Sequence, residues 1–203
     1  MRSSVKFAVV ACCIAGLAAS AAAQGVPKTV VTGAPPFTLG MPTAAALAAN
    51  RALSLTSVPC PTEGRKVNAV PTVNYETRMV APLGGYPYLA HVVLCFYQGK
   101  LSVIHLEWLK DAFRDSPIEW RSRALGLARQ LNSAYAANLI TRNHVDEDAG
   151  GRVEIRDAQG NVLTMMADGN SGGDAGGLDI MLHYVDATYA QALSGPAKLE
   201  GSY

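Results

Sequence analysis

Ser116-Pro117-Ile118-Glu119-Trp120 opens the stretch that decides the fold, and Ala124, Leu127, Leu131 and Tyr135 carry it on. Serine at an N-cap, proline at the first helical position and glutamate at N3 are three helix-start signals in four residues. The serine oxygen can accept from the N3 amide, and the glutamate can reach back to the N-cap amide. From Trp120 the apolar residues recur at spacings of four, three, four and four, which is one face of an α-helix. Arg121, Arg123, Arg129 and Asn132 fall largely off that stripe. The pattern predicts a helix over 116–138 that lays an apolar stripe on a sheet. The strand-like segments before and after it supply that sheet.

The strongest of these segments flank Gln98-Gly99. Residues 88–97 and 100–108 read as a hairpin, with the two-residue loop that favours a primed turn. Taking Tyr97 opposite Lys100, His91 pairs with Leu106 and Val92 with His105. Val92, Leu94, Phe96, Leu101 and Val103 then share one face, and Val93, Cys95, Ile104 and Leu106 the other. Two largely apolar faces mark the middle of a sheet that is covered at least in part on both sides. Upstream, residues 66–80 alternate as a strand with one buried face: Val67, Ala69, Val73, Tyr75 and Met79 share a parity. Pro71 removes a ladder donor and belongs at an edge or bulge. Residues 81–87, rich in glycine and proline, read as a turn.

After the helix, residues 143–151 are polar and acidic. Residues 152–156 and 161–166 form a second hairpin, and Asp157-Ala158-Gln159-Gly160 suits a type I turn closed by a glycine bulge. Leu178, Ile180, Leu182 and Tyr184 alternate along a last strand. Asp186 caps a short helix that runs to Leu193. Near the N-terminus, the alanine-rich run at 43–53 behind Pro42 reads as a helix with shallow packing. Residues 57–64 are a loop. The expected fold is a two-layer α+β domain, with a mostly antiparallel sheet and both main helices on one face, in the order helix, three strands, helix, three strands. The order repeats although no residue-level repeat is evident.

The N-terminus has the form of an export signal. Arg2 and Lys6 precede an apolar run at 7–19, and Ala21-Ala22-Ala23 stands before Gln24. The run is shorter than the ~20 residues of a spanning helix. Cleavage after Ala23 would divide the chain into a signal peptide (1–23), an extended, partly mobile leader (24–36), one α+β domain (37–194) and a frayed tail (195–203). It leaves 180 of the 203 residues, with 15 basic and 16 acidic side chains, a net charge of −1. That balance gives no electrostatic basis for binding nucleic acid or an anionic membrane surface. No later apolar stretch is long enough to span a bilayer. The expected location is periplasmic or secreted. Cys12 and Cys13 leave with the signal, so the mature chain keeps Cys60 and Cys95. An even pair in an exported protein predicts a disulfide.

Catalytic signatures are missing. There is no Gly-x-Ser-x-Gly, His-Glu-x-x-His, phosphate-binding glycine loop or Cys-x-x-Cys. No catalytic, cofactor-binding or metal-binding residue is therefore assigned, and no cofactor is expected. Among the four histidines, His91, His105, His144 and His183, the register above sends His91 and His105 to opposite faces, which argues against a shared zinc site. His144-Val145-Asp146-Glu147-Asp148 sets an imidazole beside three carboxylates, a pattern that general acid–base chemistry could use but that a solvated acidic turn also explains. Asp168, Asn170, Gly173 and Asp179 fit positions 1, 3, 6 and 12 of a calcium loop, but Gly172 at position 5 offers no side-chain oxygen. Trp108 and Trp120 read as core residues rather than as a binding patch.

The Phe37-Thr38-Leu39-Gly40-Met41 opening is followed by a helix, a hairpin bearing Phe96-Tyr97-Gln98-Gly99-Lys100-Leu101, and a later helix. In that layout, over about residues 37–184, the chain resembles small bacterial envelope proteins of the SmpA/OmlA lipoprotein group and the β-lactamase inhibitor protein group. It lacks a lipid-bearing cysteine, and its second half lacks the Leu-Gly-Met opening. The resemblance implies an exported binding or assembly module without catalysis and transfers no site residues. The expected function is therefore a non-enzymatic module that binds an envelope or secreted protein. The alternatives are a small secreted hydrolase with a site among His144, Asp146, Glu147 and Asp168, or a small-ligand or metal-binding module.

Overall fold

The computed structural model describes residues 29–61, 70–83, 85–108, 117–146, 150–168 and 180–194. The elements in chain order are α1 (Thr43–Ala49), β1 (Ser54–Thr56), β2 (Val73–Leu83), β3 (Tyr86–Tyr97), β4 (Lys100–Trp108), α2 (Pro117–Ala134), β5 (Leu139–Asp146), β6 (Gly150–Arg156), β7 (Val162–Asp168), β8 (Ile180–Val185) and α3 (Ala187–Ser194). All the strands join one sheet in the order β1-β2-β3-β4-β8-β7-β6-β5, and every neighbouring pair is antiparallel. The α+β class and the mostly antiparallel sheet follow the sequence reading. The count differs among the described residues, where each half is a helix followed by four strands and a third helix follows β8. The last strands of the two halves, β4 and β8, pair at the centre of the sheet.

The two added strands were hidden for different reasons. β1 has three residues, too few to show a period. β5 carries the polar run Thr141-Arg142-Asn143-His144, and its pairing with β6 slips between Ile140 and Arg142. Its alternation is therefore broken where it would have been read. Residues 81–83 and 86–87, expected as part of a turn, lie in strands, with Pro82 opposite Pro87. Residues 62–69, which hold the start of the expected strand at 66–80, lie outside the described residues.

The β3–β4 hairpin turns at Gln98 and Gly99, both with positive φ (52° and 75°), as a primed turn requires. Its register departs from the simple count. Tyr97 faces Lys100 and Phe96 faces Leu101, but Cys95 faces Val103, so Ser102 is an extra residue, a bulge. Everything on β4 beyond it moves to the other face. Leu94 therefore pairs with Ile104 and Val92 with Leu106, and those side chains join Phe96 and Leu101 in the main core. Val103 joins Val93 and Cys95 on the opposite side.

The main core lies between the first face of the sheet and α1 and α2. Trp120, Ala124, Leu127, Ala128 and Leu131 are the buried stripe of α2, as its spacing predicts, and Tyr135 packs partly buried just beyond its end. Trp108 reaches the same core from β4 and donates its indole N–H to Ala81 O at 3.3 Å. Ser116 lies outside the described residues. Glu119 Oε1 accepts from Tyr88 Oη at 2.7 Å and from Arg123 Nη2 at 3.0 Å, and the Arg123 guanidinium sits 3.5 Å above the Tyr86 ring. These contacts tie the start of α2 to the β2–β3 hairpin.

The segment from Thr29, expected as part of a partly mobile leader, is extended but held. Val31 is buried and donates its amide to Asp157 Oδ2 at 2.9 Å. Asn138 brackets Thr29 through its amide and carbonyl. A Cβ on Gly33 would stand 2.7 Å from Ile104 Cδ1 and 2.8 Å from Phe37 O, so the chain runs against the sheet where only glycine fits. The β6–β7 turn is the expected one: Gly160 has φ of 89° and donates to Asp157 O at 3.2 Å. Asn161 then bridges three elements. Its Nδ2 donates to Asp157 Oδ2, its Oδ1 accepts from Ala187 N at the start of α3, and its backbone N–H donates to Asp157 Oδ1. Asp186 caps α3 as expected, accepting from Thr188 N at 2.9 Å and Tyr189 N at 3.3 Å.

Candidate functional site

The second face of the sheet carries the chemistry. The registers place Glu76, Arg78, His91, His105, Glu107, Thr164, His183, Glu154 and Arg152 on it, spread over β2 to β8. The Ser102 bulge corrects the sequence reading here, because His91 and His105 share this face rather than lying on opposite ones. His105 and His183 are direct cross-strand neighbours, both buried, with ring centroids 5.6 Å apart edge to face. The register argument against a shared metal site therefore falls. Among the described residues no group of three or more His, Cys, Asp or Glu is placed to hold a metal ion.

His91 stands between two carboxylates. Its Nε2 lies 3.3 Å from Glu76 Oε2 and its Nδ1 lies 3.8 Å from Glu107 Oε2. The two contacts leave on opposite sides of the ring, an arrangement that orients the imidazole and links β2, β3 and β4. Beyond it, at the corner nearest the β2–β3 turn, Val80 and Leu89 face each other across the strands at 62% and 53% exposure, with exposed Arg78 beside them. This corner is an apolar pair with charged groups along its inner side.

The opposite margin of the same face is covered by α3. Tyr189 and Leu193, four residues apart on one side of the helix, pack with Val93, Cys95, Val103 and Val185. Tyr97 meets the Tyr189 ring at 5.6 Å. Burial raises the Tyr189 phenol above its ordinary pKa. Cys60 belongs to the same cluster. It stands at disulfide distance from Cys95, with Cα atoms 5.9 Å apart, as the cysteine count predicts. The bond pins residues 57–61 to the second face. Between α3 and β8, β7 and β6 lies a cleft of about 310 Å³, with Val103, Val162, Thr164, His183 and Val185 as its floor.

Of the remaining candidates from the sequence, His144, Asp146 and Asp168 lie at one end of β5 and β7, in register with neighbouring residues of β6. His144 pairs in register with Arg152, and Asp146 and Asp168 flank Gly150 from β5 and β7. Glu147, Asp148 and residues 169–179, with most of the calcium-loop pattern, lie outside the described residues. Trp108 and Trp120 are both core residues, as expected. The cleft and the histidine pair were missed because both depend on the bulge and on which side of α3 meets the sheet. The one available signal was the division of α3 into a Tyr189/Leu193 stripe and a small-residue stripe.

Fold and site together describe an α+β protein whose single antiparallel sheet has one apolar face and one mixed face. Comparison of the chain with protein-family models, curated protein sequences and solved structures finds no match. Among the described residues no helix is long and apolar enough to cross a membrane.

Proposed function

We propose that this chain is an exported, non-enzymatic module that binds another envelope or secreted protein through the open corner of its second sheet face. The observation that carries the reading is the exposed Val80–Leu89 pair, which lies on the turn side of Arg78 and the Glu76–His91–Glu107 group. Protein interfaces combine an apolar centre with a polar, charged rim. A Cys60–Cys95 bond is compatible with the oxidising compartment that residues 1–23 imply. The layout resemblance to SmpA/OmlA and β-lactamase inhibitor proteins supports the same class. Mixed charges at this corner favour a protein surface over a polyanion.

A photo-crosslinking amino acid at position 89, compared with one at Arg129 on the exposed side of α2, tests the reading in the native setting. One reproducible protein adduct from position 89 and none from position 129 is expected. Adducts from both positions, or from neither, would contradict it. Turnover in a broad hydrolase panel that disappears in His144→Ala would overturn the non-enzymatic assignment.

A further inference from the structure

The cleft beneath α3 is separate from the open corner and is formed by the sequence of the helix itself. Along Ala187–Ser194 the residues at 189 and 193 are large and dock on Val93, Cys95 and Val103. Those at 187, 190, 191 and 194 recur at helical spacing and line the cleft, together with the edges of Tyr189 and Leu193: Ala187, Ala190, Gln191 and Ser194. Below them the sheet presents Val162, Val185 and Val103, with Thr164 and His183 side by side in register. Thr164 and His183 are almost wholly buried, at 1% and 2% exposure. The floor is therefore apolar with two polar groups set into it, and the roof is small.

Packing does not close this space, for identifiable reasons. Asn161 Oδ1 holds the start of α3 through Ala187 N at 2.9 Å. A Cβ on Gly160 would lie 3.3 Å from the Ala187 Cβ, so the turn already touches the helix there. Tyr189, at its other side, is wedged against Tyr97 and the Cys95 cluster. The helix is thus propped along both sides, and the cleft between the props persists. Its volume, about 310 Å³, falls at the lower end of the range of small-molecule sites.

Charge selects the ligand class. Arg156 lines the cleft from the end of β6, is exposed, and makes no ion pair among the described residues. The neighbouring carboxylates are engaged elsewhere. Asp157 accepts from the amides of Val31, Gln159 and Asn161, and Asp186 from those of Thr188 and Tyr189. We infer that this cleft is a binding site for a small organic anion, a carboxylate with a flat apolar body, whose body lies between the valine floor and α3 and whose charged group meets Arg156. At about 30 Å³ per water the space corresponds to roughly ten waters, or a ligand of about ten non-hydrogen atoms. This inference does not depend on protein binding at the Val80–Leu89 corner.

Methyl-resolved NMR of the mature, oxidised chain tests it with two probes of that size, 3-phenylpropionate and its uncharged amide. Ligands this small bind in the range of about 0.1–1 mM when each atom contributes normally. The acid should shift the methyls of Val103, Val162, Val185 and Leu193 saturably, and bind about fivefold more tightly than the amide. In Arg156→Gln the two probes should bind equally. Ala190→Trp, which fills the roof, should abolish binding while the Val80 and Leu89 methyls keep their positions. Should Ala190→Trp fail to fold, the probe comparison in the wild type and in Arg156→Gln still decides. The absence of saturable shifts up to 10 mM of about-millimolar binders, shifts confined to Val80 and Leu89, or equal binding of acid and amide by the wild type would each overturn the inference.

Discussion

Along Tyr86–Tyr97 alternate side chains enter two environments. Val92, Leu94 and Phe96 point into a dry core roofed by α1 and α2, whereas Leu89 and His91 point to a face where apolar, basic and acidic groups alternate. The first face is built from shape: Trp108, Trp120, Ile104, Leu163, Ile155 and Met165 are among its fully buried side chains. The second buries polar groups, His105, His183, Thr164 and Glu154, and leaves an apolar pair in the open. One strand thus sends its even residues into the main core, while its odd ones run from the exposed Leu89 to Val93 and Cys95 in the cluster under α3. The second face is thus divided: the margin under α3 is packed and stapled, and the corner at Val80 and Leu89 is open.

If that division is right, substitutions should separate cleanly by face. The largest loss should come from Trp120→Ala on the roof of the first face, about 3–5 kcal/mol in denaturant unfolding. Leu131→Ala, further along the same stripe, should cost about 2–5 kcal/mol. A wild-type midpoint for either would mean that α2 buries a different face.

The next effect belongs to the second face but acts through the unfolded chain. Cys60 and Cys95 are 35 positions apart, and closing that loop is worth roughly 3–4 kcal/mol in the chain-entropy model. Reduction, or Cys60→Ser with Cys95→Ser, should lower stability by that amount. Intact-mass analysis of the protein should show two hydrogens fewer than its fully reduced mass, and no alkylation without reductant. Free alkylation of both thiols in unreduced, denatured protein would remove the staple from the account.

The smallest effect is a pH dependence on the first-face side. The Glu119 carboxyl is held below its ordinary pKa, first by the Tyr88 hydroxyl hydrogen bond and then by Arg123. A depressed folded-state pKa adds stability above the ordinary carboxylate range, and that stability is lost as pH falls through the lowered value. Unfolding midpoints between pH 7 and pH 3 should therefore fall slightly less in Glu119→Gln than in the wild type. Identical pH slopes would show that ionisation of Glu119 contributes nothing to stability.

Much of this architecture was legible because it is local. The α2 stripe, the Gln98-Gly99 turn, the Asp157–Gly160 turn, the Asp186 cap and the cysteine pair each declare themselves within a few residues. What stayed hidden depends on a single inserted residue and on partners distant in sequence. Ser102 looks like any strand residue, yet as a bulge it exchanges the faces of Val103, Ile104 and His105. It thereby decides that His91, His105 and His183 share one side. β1 is too short to show a pattern, and β5 slips in register in the middle of a polar run. The cleft required knowing which side of an eight-residue helix faces β7, and Arg156 acquires a role only from that placement. Sequence periodicity describes one element at a time, whereas the site is a property of four strands and a helix taken together.

The most direct measurement compares two leucines on β3 that differ only in the face they serve. Leu94 is fully buried on the first face and Leu89 is 53% exposed on the second. Leu94→Ala and Leu89→Ala are unfolded side by side in urea, oxidised, under one set of conditions. The account predicts a loss of about 2–5 kcal/mol for Leu94→Ala and a change within about 0.5 kcal/mol for Leu89→Ala. Equal losses would contradict it, because they would place Leu89 in a core and leave the second face no open corner with which to bind.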